Sequence, residues 1–120
     1  MRSLPQEIPI VINDAPYGTE KAYNALRLAI ALQAKEHKVN VFLMADAVFC
    51  AIPGQNTPQG YYKSDEMMGR VLLKGGRIAA CGSCMNARGL TDQGLLKGVE
   101  RGSMALLSDW TEKADKVHSF

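Results

Sequence analysis

The residues able to do chemistry cluster around two thiols. Cys81-Gly82-Ser83-Cys84 sets them in a run of small residues, with Arg88 a turn further on. The thiolate, not the thiol, is the nucleophile, and a free cysteine of pKa ~8.5 is only a few per cent ionised at neutral pH. Main-chain N–H groups at a helix start lower that pKa, as does a nearby cation, for which Arg88 is the candidate. A drop of ~2 units, at ~1.4 kcal/mol per unit, makes most of the sulfur thiolate. Gly82, Ser83 and Ala87 leave room for a partner to approach Cys81.

Three chemistries use such a pair. One is a redox dithiol; that motif normally opens a helix after an early strand, whereas this pair lies two-thirds along the chain. Another is half of a zinc site. Zinc needs four ligands, and only Cys50, His37 and His118 remain, with no second tightly spaced pair. No metal is expected. The third is a single reactive thiol with a neighbour, carrying sulfur as a persulfide. Against all three stands the bland alternative of two small buried residues in a loop, since cysteine is among the most buried residue types.

The elements around the pair read as alternating strands and helices. Ile8 to Ile12 is a short β-branched run closed by Asn13-Asp14-Ala15-Pro16-Tyr17-Gly18, a strand leading into a loop. Pro9 suits a strand start better than its centre. Thr19 to Lys38 carries Ala22, Ala25, Leu26, Ala29 and Ile30 at helical spacing, with Thr19 as the cap and Lys35, His37 and Lys38 at the negative end of the dipole. Val39 to Met44 is a second strand, and Ala45 to Ile52 begins a short helix. Gln55 to Gly60 with Tyr61-Tyr62 is a partly aromatic loop, expected to cover the cysteine or to contact another subunit. Ser64 caps a helix that Lys74-Gly75-Gly76 stops. Arg77 to Ala80 is a third strand that delivers Cys81. Thr91-Asp92 caps a short helix, Val99 sits in a fourth strand, Ser103 caps a last helix, and Lys116 to Phe120 is a terminal strand. This alternation implies a parallel sheet covered by helices on both faces.

In an open parallel sheet, reacting groups gather beyond the carboxyl ends of the strands. Asn13, Asp14 and Tyr17 follow the first strand, Asp46 the second and Cys81 the third, so all share one rim. Asp14 and Asp46 are candidates for handling protons near Cys81; the commoner use of such residues is to form turns. Cys50, after Val48 and Phe49, reads as a core thiol. His37 and His118 read as structural, and Met67, Met68 and Met85 as filler. No phosphate-binding glycine motif is present, which disfavours nucleotides.

Composition bounds the rest. The chain has 120 residues, enough for one domain with its own core, residues 1–120. It is 47% apolar and 22% charged, which argues against disorder and coiled coils. A net charge of +2 is too balanced for a nucleic-acid or membrane partner. Three cysteines, an odd count, do not make a secreted disulfide scaffold. No leader-like apolar region opens the chain, and nothing approaches the ~20 apolar residues of a spanning helix. The expected location is the cytoplasm.

Ala79-Ala80-Cys81-Gly82-Ser83-Cys84-Met85-Asn86-Ala87-Arg88-Gly89-Leu90 resembles the signature loop of the DsrE/DsrF-like family, which includes TusD-like sulfur-relay proteins. Ile8 to Asn13 with its following helix, Val39 to Val48, and the ending Asp115-Lys116-Val117-His118-Ser119-Phe120 resemble other family stretches in order and spacing. The resemblance implies a three-layer α/β/α domain with a five-stranded parallel sheet, often assembled as a homo-oligomer, trimer or hexamer. It implies that Cys81 accepts sulfane sulfur and passes it on, with Cys84 as an extra thiol that such loops need not have. Donor and acceptor would be protein thiols, and no cofactor is implied. Two other classes stay open: a non-catalytic binding or assembly module of the same fold, and a Cys81/Cys84 dithiol redox protein.

Overall fold

The structure, a computed structural model, describes residues 4–59 and 62–120. Its centre is one sheet of five parallel strands, β1 (Glu7–Ile12), β2 (Lys38–Leu43), β3 (Ile78–Cys81), β4 (Val99–Gly102) and β5 (His118–Ser119), in the order β4-β3-β2-β1-β5. Four helices connect them: α1 (Lys21–Ala34), α2 (Ser64–Leu73), α3 (Gly82–Ala87) and α4 (Met104–Lys113). Two 3-10 segments, Ala45–Ala51 and Asp92–Gly94, complete the chain.

The strand order decides which face each helix covers. From β1 to β4 every step runs the same way across the sheet. Right-handed crossovers therefore lay α1, α2 and α3 on one face, and the return from β4 to β5 lays α4 on the other. Alternation along the strands supplies both faces with apolar side chains. Ile10 and Ile12, Val41 and Leu43, and Ile78 and Ala80 line up in register and are fully buried beneath α1 and α2. Ala22, Ala25 and Ala29 let α1 approach closely, and Leu26, also fully buried, contributes about 1.5–3 kcal/mol. On the other face Phe42 meets Trp110 of α4 edge to face, with centroids 6.0 Å apart. Arg77 lies over the Trp110 ring and is held by Glu100.

Several boundaries differ from the sequence expectation, each for a tertiary reason. α1 starts at Lys21; Glu20 stands at the cap position without a side-chain bond, while Thr19 Oγ1 accepts from Lys21 N–H at 3.3 Å. It ends by Ala34, Glu36 turns to φ 70°, and His37 Nδ1 accepts the Gln6 N–H. Ser64 is not the cap of α2 but its first residue, fully buried, donating to Gln55 Oε1 at 2.7 Å. The apolar run at Ala45 tightens into a 3-10 helix, and Thr91-Asp92 leads into a single 3-10 turn. Gly75 at φ 87° ends α2 in the left-handed position, and Ser103 caps α4 by accepting from Leu106 N–H.

Pro9 stands inside β1 without breaking it. Glu7 and Val11 turn their main-chain groups toward the β5 side, Glu7 to Asp115 and Val11 to Phe120. By alternation Pro9 faces that side too, one residue before the β5 pairing begins at Ile10. Its missing N–H removes no ladder bond. The terminal strand is shorter than expected, with only His118 and Ser119 in register beside Ile10 and Val11.

Candidate functional site

Cys81 is the last residue of β3 and stands at the cap position of α3. β3 is buried along its whole length, so its main chain is fixed between β2 and β4. The chain turns at Cys81 (φ −53°, ψ 119°) and enters the helix at Gly82. Cys81 is only 8% exposed, but Ser83 beside it is exposed. Approach to the sulfur is therefore narrow and runs past small residues.

Cys84 follows one turn later. A residue at the helix cap faces the third helical residue, so the two sulfurs are neighbours by construction. Cys81 Sγ lies 3.3 Å from Ser83 Oγ. Cys84 Sγ accepts the Ala45 N–H at 3.2 Å, and Ala45 holds a left-handed φ of 52°. Burial acts to raise the Cys81 pKa. Hydrogen bonds from the side chains of Cys84 and Ser83, and the main-chain N–H groups of the same two residues, outweigh it and hold the thiol below its ordinary value. Cys84 moves the other way: burial raises it, and donating a hydrogen bond to Cys81 raises it further, against the Ala45 N–H and the Arg88 charge. One sulfur is the acceptor and the other the donor of the pair.

The structure brings Asp46 and Arg88 together. Arg88 Nε donates to Asp46 Oδ1 at 2.8 Å and Nη1 to the Cys84 carbonyl at 3.1 Å. This bridge ties the exit of β2 to the cysteine loop. Its charge favours ionisation of Cys84, while the groups that favour the Cys81 thiolate are Cys84 and Ser83. Asp14 accepts from Thr19 Oγ1 at 3.0 Å and pairs with Lys21 at 3.7 Å, serving the entry to α1. It follows β1, two strands from β3, a lateral distance of about 10 Å.

Arg101 was not among the residues singled out from the sequence. From β4 it donates to the Gly82 carbonyl at 3.1 Å, to Asn86 Oδ1 at 2.9 Å and to Asp92 Oδ1 at 3.1 Å. It clamps both ends of α3 beneath the cysteine pair. A Cβ at Gly82 would lie 2.7 Å from Arg101 Nε, so any larger residue there would push the guanidinium out of its place. The pairing of Cys81 with Gly102 is the signal that places Arg101 here.

Cys50 is fully buried in the 3-10 helix, and burial pushes its thiol up to about 12. The described residues of the aromatic loop pack against Tyr17, Tyr23 and the Cys50 carbonyl rather than against Cys81. Tyr62 stacks on Tyr23 at 4.4 Å and tilts against Tyr17 at 5.1 Å, and Tyr17 Oη bonds Gln55. Its remaining members, Gly60 and Tyr61, lie outside the described residues. The groove beside this cluster is lined by Tyr17, Tyr23, Gln55, Pro58 and Tyr62, with no cysteine. Among the described residues no three His, Cys, Asp or Glu side chains converge to hold a metal ion, and no helix is long and apolar enough to cross a membrane.

Comparison with known proteins agrees with this architecture. The model of the DsrE/DsrF-like family matches residues 6–120. Protein YchN of Escherichia coli is 40% identical over 96% of this chain and 99% of its own, and its crystal structure superposes with a TM-score of 0.91. An uncharacterized protein of Methanopyrus kandleri is 38% identical over 94% of this chain and 93% of its own. A Methanobacterium thermoautotrophicum protein of unknown function superposes with a TM-score of 0.73 at 16% identity, over 92% of this chain and 96% of its own, a likeness of fold alone.

Proposed function

This chain belongs to the DsrE/DsrF-like family, and from that premise we propose that it is a sulfur carrier that holds sulfane sulfur as a persulfide on Cys81. The observation that carries the reading is the position of Cys81 at the end of a buried strand, next to Ser83 and Cys84, whose hydrogen bonds favour its thiolate. The Cys81 thiolate attacks the outer sulfur of a donor persulfide. A new S–S bond forms on Cys81, the donor S–S bond breaks, and the donor leaves as a thiolate. The reverse exchange with an acceptor thiolate returns Cys81 to its starting state, with no net oxidation. A sulfur of lowered pKa is a good leaving group, so the same environment serves both halves.

The donor and acceptor in this reading are protein thiols met in the cytoplasm, and the protein acts as a homo-oligomer; native mass in solution tests the last point. The carrier itself is tested by incubating the reduced protein with inorganic polysulfide and taking an intact mass. A gain of one sulfur atom is expected in Cys50→Ala and is lost in Cys81→Ser. Absence of any gain in both the parent protein and Cys84→Ser, with no sulfide released, overturns the reading and leaves a non-catalytic assembly module.

A further inference from the structure

A carrier needs one thiol, and this loop has two. Cys81 at the cap and Cys84 at the third position of α3 share one turn, which sets the two side chains beside each other. Residues so spaced meet the Cα separation of about 4.4–6.8 Å that a disulfide requires. Cys84 is also aimed. Its sulfur is fixed by the Ala45 N–H at 3.2 Å, and its carbonyl by Arg88, which is in turn held by Asp46.

We infer that Cys84 is a resolving thiol, which attacks the inner sulfur of a Cys81 persulfide, releases hydrosulfide and leaves a Cys81–Cys84 disulfide. This rests on the carrier reading and adds a second activity to it, persulfide reduction. The balance is closed. The Cys84 S–Cys81 S bond forms, and the bond from Cys81 to the outer sulfur breaks. The outer sulfur departs with the electron pair and takes the proton that Cys84 gives up. The sulfane sulfur is reduced by two electrons, and the two cysteine sulfurs are oxidised by one each. A small or protein dithiol returns the pair to its reduced form for another round.

Loading itself arms the step. In the reduced protein the Cys84 S–H donates a hydrogen bond to the Cys81 sulfur, and this keeps Cys84 a thiol. Once Cys81 bonds a second sulfur, its thiolate no longer draws on that proton. Burial still opposes ionisation of Cys84, while the Ala45 N–H and the Arg88 charge favour its thiolate without that competing draw. Cys81 is nearly buried, so an external thiol reaches it by a narrow path, whereas Cys84 already stands on the same helical turn. Held geometry of that kind raises effective concentration far above that of a free thiol.

The experiment loads the parent protein and Cys84→Ser with inorganic polysulfide, removes the donor on a desalting column, and follows intact mass and free sulfide with time. Cys84→Ser is expected to keep its added sulfur. The parent protein is expected to lose it about ten-fold faster or more, with one sulfide released per disulfide formed, and a peptide map then joins Cys81 to Cys84. Equal persistence in the two proteins overturns the inference and leaves the carrier standing. Added sulfur mapped to Cys84 overturns it in favour of transfer between the two thiols. Loading of neither protein overturns both readings. If Cys84→Ser does not fold, the parent protein alone decides, by whether sulfide and the mapped disulfide appear together.

Discussion

Cys50 and Cys81 each lie in an apolar stretch beside the same sheet, and neither is freely exposed, yet the fold treats their thiols in opposite ways. Cys50 sits inside a 3-10 helix and is fully buried. Desolvation dominates and its pKa climbs to about 12. Cys81 sits where a strand ends and a helix begins, and donors converge there from the first helical turn. They overcome a desolvation of the same sign. Burial alone therefore does not decide whether a cysteine is inert. What decides is whether enough hydrogen-bond donors converge on the sulfur, here the Cys84 and Ser83 side chains first and their main-chain N–H groups after them.

The largest expected consequence is selectivity of alkylation. With one thiol near 12 and the other below 9.0, thiolate fractions at neutral pH differ by at least about 10³, ten-fold per unit. Iodoacetamide on the native protein should label Cys81 and leave Cys50 untouched, as read by peptide mapping. Comparable labelling of both would erase the contrast. The Cys81 rate should rise with pH and level off below the pH of an ordinary thiol.

Alkaline stability tests the other member. A folded pKa raised above its unfolded value gives a contribution that is complete below about 9 and is lost as pH rises toward about 12. The full shift of about three units corresponds to about 4 kcal/mol at most. Denaturant unfolding of the parent protein should weaken across that window, and Cys50→Ala should weaken less. Parallel curves would show that Cys50 ionises as freely in the folded protein as in the unfolded chain.

Arg101→Met sharpens the contrast, because it disturbs only the loop. Losing charged hydrogen bonds to Gly82, Asn86 and Asp92 should cost about 2 kcal/mol and slow Cys81 alkylation, with Cys50 still protected. The smallest effect is expected from Asp46→Asn. The Asp46 side chain is 61% exposed, and such pairs contribute about 1 kcal/mol or less. A large fall in thermal midpoint or in Cys81 reactivity there would move the weight of the site from the clamp to the bridge.

The sequence held the parts of this site that are local. β-branched runs marked the strands, Gly75 marked the end of α2, and the order of elements put Cys81 on the rim. It did not hold what depends on register. Arg101 lies twenty positions beyond Cys81, and only the pairing of Cys81 with Gly102 brings it under α3. Ser64 looks like a cap because a hydroxyl before two acids satisfies helix-start chemistry. In the folded chain Gln55 competes for that hydroxyl and the cap position passes to Lys63. Asp14 and Asp46 were equivalent in sequence, each following a strand. Strand order separates them, for β2 is next to β3 and β1 is not.

Pro9 and the brevity of β5 have a consequence for self-association. The outer edge of a sheet is a template for foreign strands, and long unpaired edges invite aggregation. β5 covers only Ile10 and Val11, which would leave the first half of β1 open. On that stretch the Glu7 N–H is already taken by the Asp115 carboxylate at 2.8 Å, and Pro9 has none to give. Beyond it, the Asn13 N–H is occupied by the Phe120 carbonyl. A proline inside a strand thus works here as a guard, denying an incoming chain the donor it would need to begin a cross-β ladder.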